Sequence, residues 1–293
     1  MFGSKQIHLG FIAFTLFLLC WDASPTRASK FSNEEDPIEF AYTEGDERGP
    51  EHWGDLKEEW STCKDGKLQS PIDLRDAIAD KVNSTSDHLK IHYKPTQALM
   101  KNEGHAISVV WEGYAGGVTI NGTEYLLRQC HWHAPSEHTM NGKTYDVELH
   151  MVHKDTSNTR VAVVGFLYKI GKPNPFITQV RKAIRSMIQK PTEVHLGVVD
   201  PRKMKKAQKG KQDAARRMMK RMSSKFYRYM GSFTTPPCTE GVTWTINKQV
   251  HTVSRSQVAL LQKAVYKYAE MNSRPVQPLN DREVKLHGSS FSK

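Results

Sequence analysis

Short runs rich in Val, Ile, Tyr and Trp recur through the middle of the chain, with turn-forming residues between them. Such runs are typical of β-strands. Asn121-Gly122 and Asn141-Gly142 separate neighbouring runs, and the first pair stands close enough to both of its runs to predict a hairpin. Many strands on short connections predict a mainly β fold built on one large, mostly antiparallel central sheet. The predicted strands are 107–111, 118–120, 125–133, 147–153, 161–168 and 242–246.

Two segments repeat apolar residues at helical spacing instead, and they predict a few peripheral helices at 176–188 and 254–270. The second begins with Ser254 and Gln257, the spacing of a capping box. We interpret both apolar stripes as core contacts rather than functional faces. The stripes are Ile177, Val180, Ile184 and Ile188 in the first helix, and Val258, Leu261 and Val265 in the second. Without an internal repeat or a linker, we expect a single domain over residues 34–288.

The first 28 residues have the layout of a cleaved secretory signal peptide, with Lys5, an apolar run over 9–21 and small residues after it. The alternative is an N-terminal anchor. No other segment is apolar enough to cross a bilayer, so we expect no stable membrane insertion. Two sequons, at Asn83 and Asn121, predict glycosylation. Secretion to the cell wall space is the expected address, with the chloroplast reached through the secretory route as the alternative.

The mature chain would keep three cysteines, Cys63, Cys130 and Cys238. An oxidising compartment allows one disulfide and one free thiol among them. The residues alone do not select the pair.

The net charge of +11 is concentrated in one segment. Between Asp200 and Lys225 stand eleven Lys or Arg and two Asp, a local net of +9, so the other residues together carry only +2. We therefore expect no nucleic-acid partner for the fold as a whole. The basic insertion at 201–225 could be an arm that contacts polyanions. The alternatives are a solvated loop or an intron-derived stretch.

Five of the thirteen histidines stand between Arg128 and Lys154. Side chains alternate along a strand, so His131 and His133 share one face, as do Glu148 and His150 on the next strand. The turn at 141–142 folds the two strands together and lets three imidazoles converge. Three neutral histidines with an open fourth position are a catalytic zinc set. Histidines scattered over a half-exposed sheet are the alternative.

The residues beside these histidines support the metal site. Gln129 and Glu148 each stand two residues before a histidine, where they can accept from its second ring nitrogen and fix its tautomer. Cys130 points to the opposite face, so we interpret it as a buried thiol rather than a fourth ligand. His138 and His153 are expected to be structural.

Seven motifs follow one another along the chain: GPEHWG, QSPIDL, NEGHA, QCHWHAPSEHT, ELHMVH, GSFTTPPCTEGVTW and SRPVQPLN. In this order they resemble the alpha class of carbonic anhydrases, in the form of its secreted plant members. The resemblance runs from about Phe40 to Leu286, and the basic insertion interrupts it. It implies that family's twisted-sheet fold, Zn²⁺ as the cofactor, and reversible hydration of carbon dioxide to bicarbonate and a proton by a zinc-bound hydroxide.

The resemblance also implies roles for residues at the metal. It makes His131, His133 and His150 the ligands, with Gln129 and Glu148 as their outer partners and the Asn272 carbonyl orienting His133. Thr234 would accept a hydrogen bond from the hydroxide and donate its own to Glu137. A carboxylate can only accept, so this chain of hydrogen bonds has one direction. His105 matches the proton shuttle and Tyr42 the residue that orders its water.

Further implied residues form the substrate pocket and a disulfide. Cys63 and Cys238 match the disulfide of secreted members, which would brace the loop that carries Thr234. Phe233 stands where many active members have Leu, and we expect its ring to narrow the pocket and slow the enzyme. A storage or binding protein on the same fold and a zinc-dependent ester hydrolase are the alternative functions. The pocket residues are Val152, Val163, Phe233, Thr235, Val242 and Trp244.

Overall fold

Alternating apolar residues and Asn-Gly turns organise the chain into a large sheet. The structure is a computed structural model that describes residues 39–82, 89–188, 190, 192–204 and 225–288, all within the compact unit Ile38–Lys293. The predicted signal peptide, the sequon at Asn83 and residues 205–224 of the basic insertion lie outside the described residues.

Strands are the main regular structure of the described chain. They are β1 (Asp73–Leu74), β2 (Asp80–Val82), β3 (Lys90–Ile91), β4 (Thr96–Asn102), β5 (Ile107–Trp111), β6 (Gly117–Ile120), β7 (Thr123–His133), β8 (Thr139–Met140), β9 (Val147–Asp155), β10 (Val161–Ile170), β11 (Glu193–Val199), β12 (Lys225–Ser232), β13 (Glu240–Asn247), β14 (His251–Val253) and β15 (Lys285–Gly288). Each predicted strand lies within an observed one.

The main sheet runs β11-β4-β5-β7-β9-β10-β13-β12-β15-β2, with β14 beside β10 and with β6 joining β3 to β7. The central strands β7, β9 and β10 pair antiparallel, as predicted. β10 pairs parallel with β13 and β14, and β15 pairs parallel with β2. The sheet is therefore mixed, because chain segments distant in sequence return to lie beside β10 in the same direction.

The hairpin predicted at Asn121-Gly122 joins β6 to β7. Both turn residues have positive φ, 48° and 80°, which Asn and Gly tolerate better than other residues. Asn141 and Gly142 also have positive φ, 52° and 73°, between β8 and β9. This second turn closes a local bridge between Met140 and Lys143 within the longer connection from β7 to β9, so it is not the direct hairpin turn between those two strands.

Four short helices lie around the sheet within the described residues: α1 (Trp53–Leu56), α2 (Thr62–Asp65), α3 (Pro175–Ser186) and α4 (Arg255–Ala264). The capping box of Ser254 and Gln257 is present at the start of α4. Both longer helices end before their predicted limits, and Ile188, predicted in the apolar stripe of α3, is exposed. Met187, the C-cap residue of α3, is buried instead of Ile188. None of the described helices combines the length and the apolar character that crossing a membrane requires.

Cys63 on α2 and Cys238 form a disulfide that joins residues 175 positions apart, while Cys130 is a buried free thiol. The pairing implied by the family resemblance is therefore present. Cys238 stands four residues after Thr234, in the loop between β12 and β13, so the bond ties that loop to α2.

Replacing both disulfide cysteines by Ser is expected to destabilise the fold by about 2–5 kcal/mol, because the cross-link closes a long loop and restricts the unfolded chain. Chemical unfolding of the Cys63→Ser/Cys238→Ser variant measures the loss. Cys130→Ser is the matched control for removing a thiol, although it buries a hydroxyl in an apolar site. A double variant as stable as the wild type would contradict the expectation.

Candidate metal centre and catalytic pocket

Three histidines from two neighbouring strands converge at one point. β7 and β9 pair so that His131 lies directly opposite His150, and His133 follows on the same face of β7. The ring centroids are 5.1 Å apart for His131 and His133, 5.2 Å for His131 and His150, and 4.6 Å for His133 and His150. One nitrogen from each ring lies within 4.8 Å of the others. This is the convergence that the alternation of side chains predicts.

In each of the three rings, the nitrogen that points away from the convergence point donates its N–H to an oxygen. His131 Nδ1 donates to Gln129 Oε1 at 2.9 Å, and His150 Nε2 donates to Glu148 Oε1 at 2.9 Å. His133 Nδ1 donates to the Asn272 carbonyl oxygen at 2.6 Å. Because these oxygens can only accept, they hold a proton on the outer nitrogen and leave the inner one with a free lone pair.

The donor set fits a metal ion. His133 Nε2 is buried and has no hydrogen-bond partner among the described residues. A buried nitrogen without a partner is costly unless something else binds it. Burial lowers the pKa of His133 to about 3 and lowers the pKa of His131 and His150 as well. The rings are therefore neutral at physiological pH, which is the form that binds zinc.

A second group of possible ligands, His138, Glu148 and His150, lies beside the first. Its members already bond to one another or to neighbours. His138 Nδ1 donates to Glu148 Oε1 at 2.7 Å, and His138 Nε2 meets the Tyr229 hydroxyl at 2.7 Å. We interpret this group as a support for the first one. His153, predicted to be structural, is likewise occupied, with Tyr93 and the Ala162 carbonyl as its partners.

A cavity of about 190 Å³ opens onto the three histidines. Val152, Val163, Phe233 and Trp244 give it an apolar wall, and His105 and Glu103 also line it. Val242, predicted for the same wall, is buried in the apolar cluster behind it and does not line the cavity. The complete lining is Glu103, His105, Ala106, Gln129, His131, His133, His150, Val152, Val163, Phe233, Thr234, Thr235 and Trp244.

Glu137 and Thr234 meet beside the histidines. Glu137 is buried, and its Oε1 accepts from the Arg274 backbone N at 3.0 Å. Its Oε2 has no hydrogen bond of normal geometry within the described residues. Burial raises the pKa of Glu137, while the Arg274 amide and the neighbouring Thr234 hydroxyl act to lower it. Thr234 is therefore near enough to affect the carboxyl group, although the two groups make no regular hydrogen bond.

His105 and Tyr42 differ in their relation to the cavity. His105 lines it, and burial lowers the pKa of His105 while the charge of Glu103 acts in the opposite direction. Tyr42 does not line the cavity. Its hydroxyl is buried without a hydrogen-bond partner in the described part of the chain, and burial, then the charge of Glu137, raise its pKa.

Comparison with known proteins identifies the family. The sequence model of the eukaryotic-type carbonic anhydrases matches residues 48–288. The chain belongs to this carbonic anhydrase family. The predicted fold, enzyme class and main function are thereby confirmed at the level of the family, whose members generally use zinc.

Proteins similar to this chain include carbonic anhydrases and dioscorins. Alpha carbonic anhydrase 7 of Arabidopsis thaliana is 46% identical over 263 residues, covering 89% of each chain. The solved structure of dioscorin complexed with ascorbate has a TM-score of 0.78 and 40% identity, over 87% of this chain and all of that one. The alpha carbonic anhydrase of Thermovibrio ammonificans, solved with sulfanilamide, has a TM-score of 0.69 and 39% identity, over 84% and 98% of the two chains.

Arg274 is a site residue of this family member that sequence reasoning missed. It is buried, and its guanidinium donates to Gln69 Oε1, the Ser70 carbonyl and the Cys63 carbonyl at 2.8–2.9 Å. Its own backbone N holds Glu137. One residue thus links the disulfide-bearing helix α2 to the carboxylate at the site. The motif SRPVQPLN carries Arg274, but its partners stand more than 130 residues earlier, so the spacing offers no signal.

A second missed network supports the loop of Phe233 and Thr234. The Tyr229 hydroxyl lies 2.9 Å from Ser70 Oγ, which accepts from the Ser232 backbone N at 3.1 Å. Ser232 Oγ donates to the Phe233 carbonyl at 2.7 Å. A continuous set of hydrogen bonds therefore runs from Glu148 through His138 and Tyr229 to the Thr234 loop.

Replacing Gln129 by Ala in this carbonic anhydrase is expected to weaken zinc affinity by about 10–100-fold, because His131 loses the acceptor that fixes its tautomer. Competition with a chromogenic chelator measures the affinity. Gln129→Glu keeps an acceptor and serves as the matched control. Equal zinc affinity in wild type and Gln129→Ala would show that Gln129 does not hold the ligand.

Proposed function

We propose that this chain catalyses the zinc-dependent, reversible hydration of carbon dioxide to bicarbonate and a proton. The observation that carries the proposal is the set of three neutral imidazoles, each fixed by an outer acceptor, with their free nitrogens converging at an apolar cavity. Family membership and the first relatives point to the same reaction.

His131, His133 and His150 would hold the zinc ion. When bound, zinc supplies a Lewis acid that makes a water molecule nucleophilic near neutral pH; carbonic anhydrase is itself the reference example of this chemistry. The three residues contribute neutral nitrogens and no charge. Glu148, Gln129 and the Asn272 carbonyl keep those nitrogens aimed at one point.

The apolar wall favours a small substrate without charge. Val152, Val163 and Trp244 form it, and each is buried. Carbon dioxide is linear and has no net dipole, so an apolar wall can bind it where a charged product gains nothing. The cavity volume of about 190 Å³ lies below the range of about 300–1,000 Å³ that is common for drug-sized ligands. This size supports carbon dioxide over bulky esters.

Thr234 and Glu137 would set the direction of hydrogen bonding at the reacting oxygen. The Glu137 carboxylate can only accept, so the Thr234 hydroxyl donates to it and presents its own lone pairs to the cavity. Thr234 then accepts only from a group that carries a proton. This selects and orients the nucleophile, and the buried, unpartnered Glu137 Oε2 supports the pairing.

His105 would carry the product proton out of the cavity. It lines the cavity, and histidine changes charge nearer to physiological pH than any other side chain. Tyr42 would order water along this path, supported by its buried hydroxyl that lacks a protein partner in the described residues. Thr235 lines the same cavity and offers a further hydroxyl to bicarbonate.

Stopped-flow measurement of carbon dioxide hydration by the mature protein tests the proposal. We expect activity that chelation removes, that added zinc restores and that a sulfonamide inhibits. Zinc-independent activity, or none in zinc-loaded protein, would overturn the proposal.

The alternative function is storage or binding on the same fold, and the solved structure of the similar protein dioscorin, a complex with ascorbate, supports binding. The complete set of zinc ligands with Glu137, Thr234 and His105 argues for catalysis. Zinc-loaded protein that accumulates to high abundance but does not hydrate carbon dioxide would support storage instead.

Phe233→Leu is expected to raise the hydration rate a few-fold, because the smaller side chain widens the mouth of the apolar wall that Phe233 lines. Hydration at saturating and limiting carbon dioxide measures the change. Phe233→Tyr keeps the ring and should remain slow. An unchanged rate in Phe233→Leu would remove the idea that Phe233 limits turnover.

The compartment and further partners of the chain belong to the same proposal. A secretory route to the cell wall space is supported by the disulfide, which persists in oxidising compartments, and by exposed Asn121, a site for glycosylation. A chloroplast reached by that route is the alternative. We also propose that residues 1–28 are a signal peptide and that residues 34–288 form the carbonic anhydrase domain. The basic insertion 201–225 would add a contact to polyanions, and weaker heparin binding on its deletion tests this.

A further inference from the structure

α3 and α4 lie side by side and run in the same direction. At their first turns, Gln257 of α4 accepts from the backbone N of Asn174, the cap of α3, at 2.7 Å and donates to the Asn174 carbonyl at 2.8 Å. At their other ends, the Asn102 amide nitrogen donates to the carbonyls of Met187 and Ala264, each at 2.8 Å. The first turns of the two helices are thus joined to each other, and so are their last turns. The outer sides of the two helices therefore form one surface.

All charged side chains of the two helices are basic. Within their bounds the two helices contain five Arg or Lys and no Asp or Glu, and all five side chains are exposed. The turn Pro201–Met204 packs against α3 and adds exposed Lys203. None of these six has an ion pair within the described part of the chain. We call Arg181, Lys182, Arg185, Lys203, Arg255 and Lys263 the two-helix basic face.

Helix stability does not account for this arrangement. Arg185 and Lys263 stand in last turns, where a positive charge favours the helix dipole. Arg255, however, begins α4, where a positive charge is unfavourable. Arg181 and Arg185 are like charges four residues apart on one helix, which is destabilising. A bound polyanion would offset both of these unfavourable interactions, the positive charge at the start of α4 and the repulsion between Arg181 and Arg185.

We propose that the two-helix basic face is a docking surface for an acidic polysaccharide. Charge complementarity favours a polyanion. None of the exposed large apolar side chains in the described residues lies within α3 or α4, whereas membrane-surface helices insert apolar groups and single-stranded nucleic acids stack on aromatic ones. The disulfide favours an extracellular setting, where the polyanions available are acidic polysaccharides rather than nucleic acids. The face is separate from the catalytic cavity, so the proposal does not depend on the enzymatic function.

Binding of the full mature chain to size-defined sodium polygalacturonate at several salt concentrations tests the proposal. The Arg181→Gln/Lys182→Gln/Arg185→Gln variant keeps good helix formers while removing three charges. It is expected to bind on the order of tenfold more weakly, with a weaker salt dependence, since fewer counterions are exchanged. Its carbon dioxide hydration should equal that of the wild type.

Two further variants make the test specific. Lys81→Gln/Lys90→Gln/Lys154→Gln removes the same charge from exposed strand residues and should bind like the wild type. A chain with every Lys and Arg of 205–224 changed to Gln should still bind through the helices. Equal losses in both triple variants, or complete loss in the 205–224 variant with full binding by the helix variant, would overturn the proposal. Tighter binding to duplex DNA or anionic vesicles than to polygalacturonate would also overturn it.

Discussion

Replacing His133 by Ala is expected to abolish zinc binding and carbon dioxide hydration together. Its Nε2 is the buried nitrogen that lacks a partner in the described structure, and its removal leaves two imidazoles where a catalytic site needs three protein ligands. Losing only the partner of a ligand costs about 10–100-fold in affinity, so losing the ligand itself should exceed about 100-fold. Zinc content per chain after dialysis, and stopped-flow hydration of the same samples, measure the two effects.

His138→Gln is the matched control for this experiment. His138 belongs to the second possible ligand group, which shares His150 with the first. Its two ring nitrogens already bond to Glu148 and Tyr229, so its replacement should lower stability while zinc stays bound. Loss of zinc from His138→Gln, with zinc retained by His133→Ala, would move the metal site to the second group and contradict our assignment.

The part of the site that could be predicted from sequence is the part made by local rules. Period-two alternation puts His131 and His133 on one face of β7, and β9, which follows β7 in the chain within a short connection, pairs antiparallel beside it. Gln129 and Glu148 follow from the same rule, because each shares a face with the histidine two residues later. Strand identity, hairpin and ligand convergence all follow from spacings of fewer than about 20 residues.

The rest of the site depends on pairings that local pattern does not encode. Asn272 holds His133 across 139 residues, and Arg274 reaches Cys63 across 211. The parallel pairing of β10 with β13 brings Val163 beside Trp244 and so builds the apolar wall. This pairing depends on which of many apolar strands lies next to β10, and local sequence does not determine that choice. The family resemblance predicted the role of Asn272, but no sequence pattern predicted the roles of Arg274 or of the Tyr229 network.

The fold alone does not decide the function, because one fold can carry unrelated functions. The residues at the cavity must decide it. A storage protein has no need of a one-directional hydrogen-bond chain, whereas an enzyme depends on it for orienting the nucleophile. Thr234 and Glu137 are therefore the pair whose replacement distinguishes catalysis from a metal site without turnover.

Thr234→Ala is expected to lower kcat/KM for carbon dioxide hydration by about 100-fold while zinc stays bound, because the reacting oxygen loses the acceptor that orients it. Thr234→Ser keeps the hydroxyl and should retain most of the activity. Thr235→Ala removes a neighbouring hydroxyl that lines the same cavity and should cost much less. Stopped-flow hydration, with zinc content measured on each sample, provides the comparison.

Coupling between Thr234 and Glu137 tests the direction of the hydrogen-bond chain. Gln at residue 137 can still accept from the Arg274 backbone N, but its amide can also donate, so Thr234 is no longer forced to donate to it. Glu137→Gln should therefore lose activity as Thr234→Ala does. The double variant should be little slower than either single variant, since the two residues act as one unit. Losses that multiply in the double variant would show that Thr234 and Glu137 act independently, and the proposed orientation of the nucleophile would then be wrong.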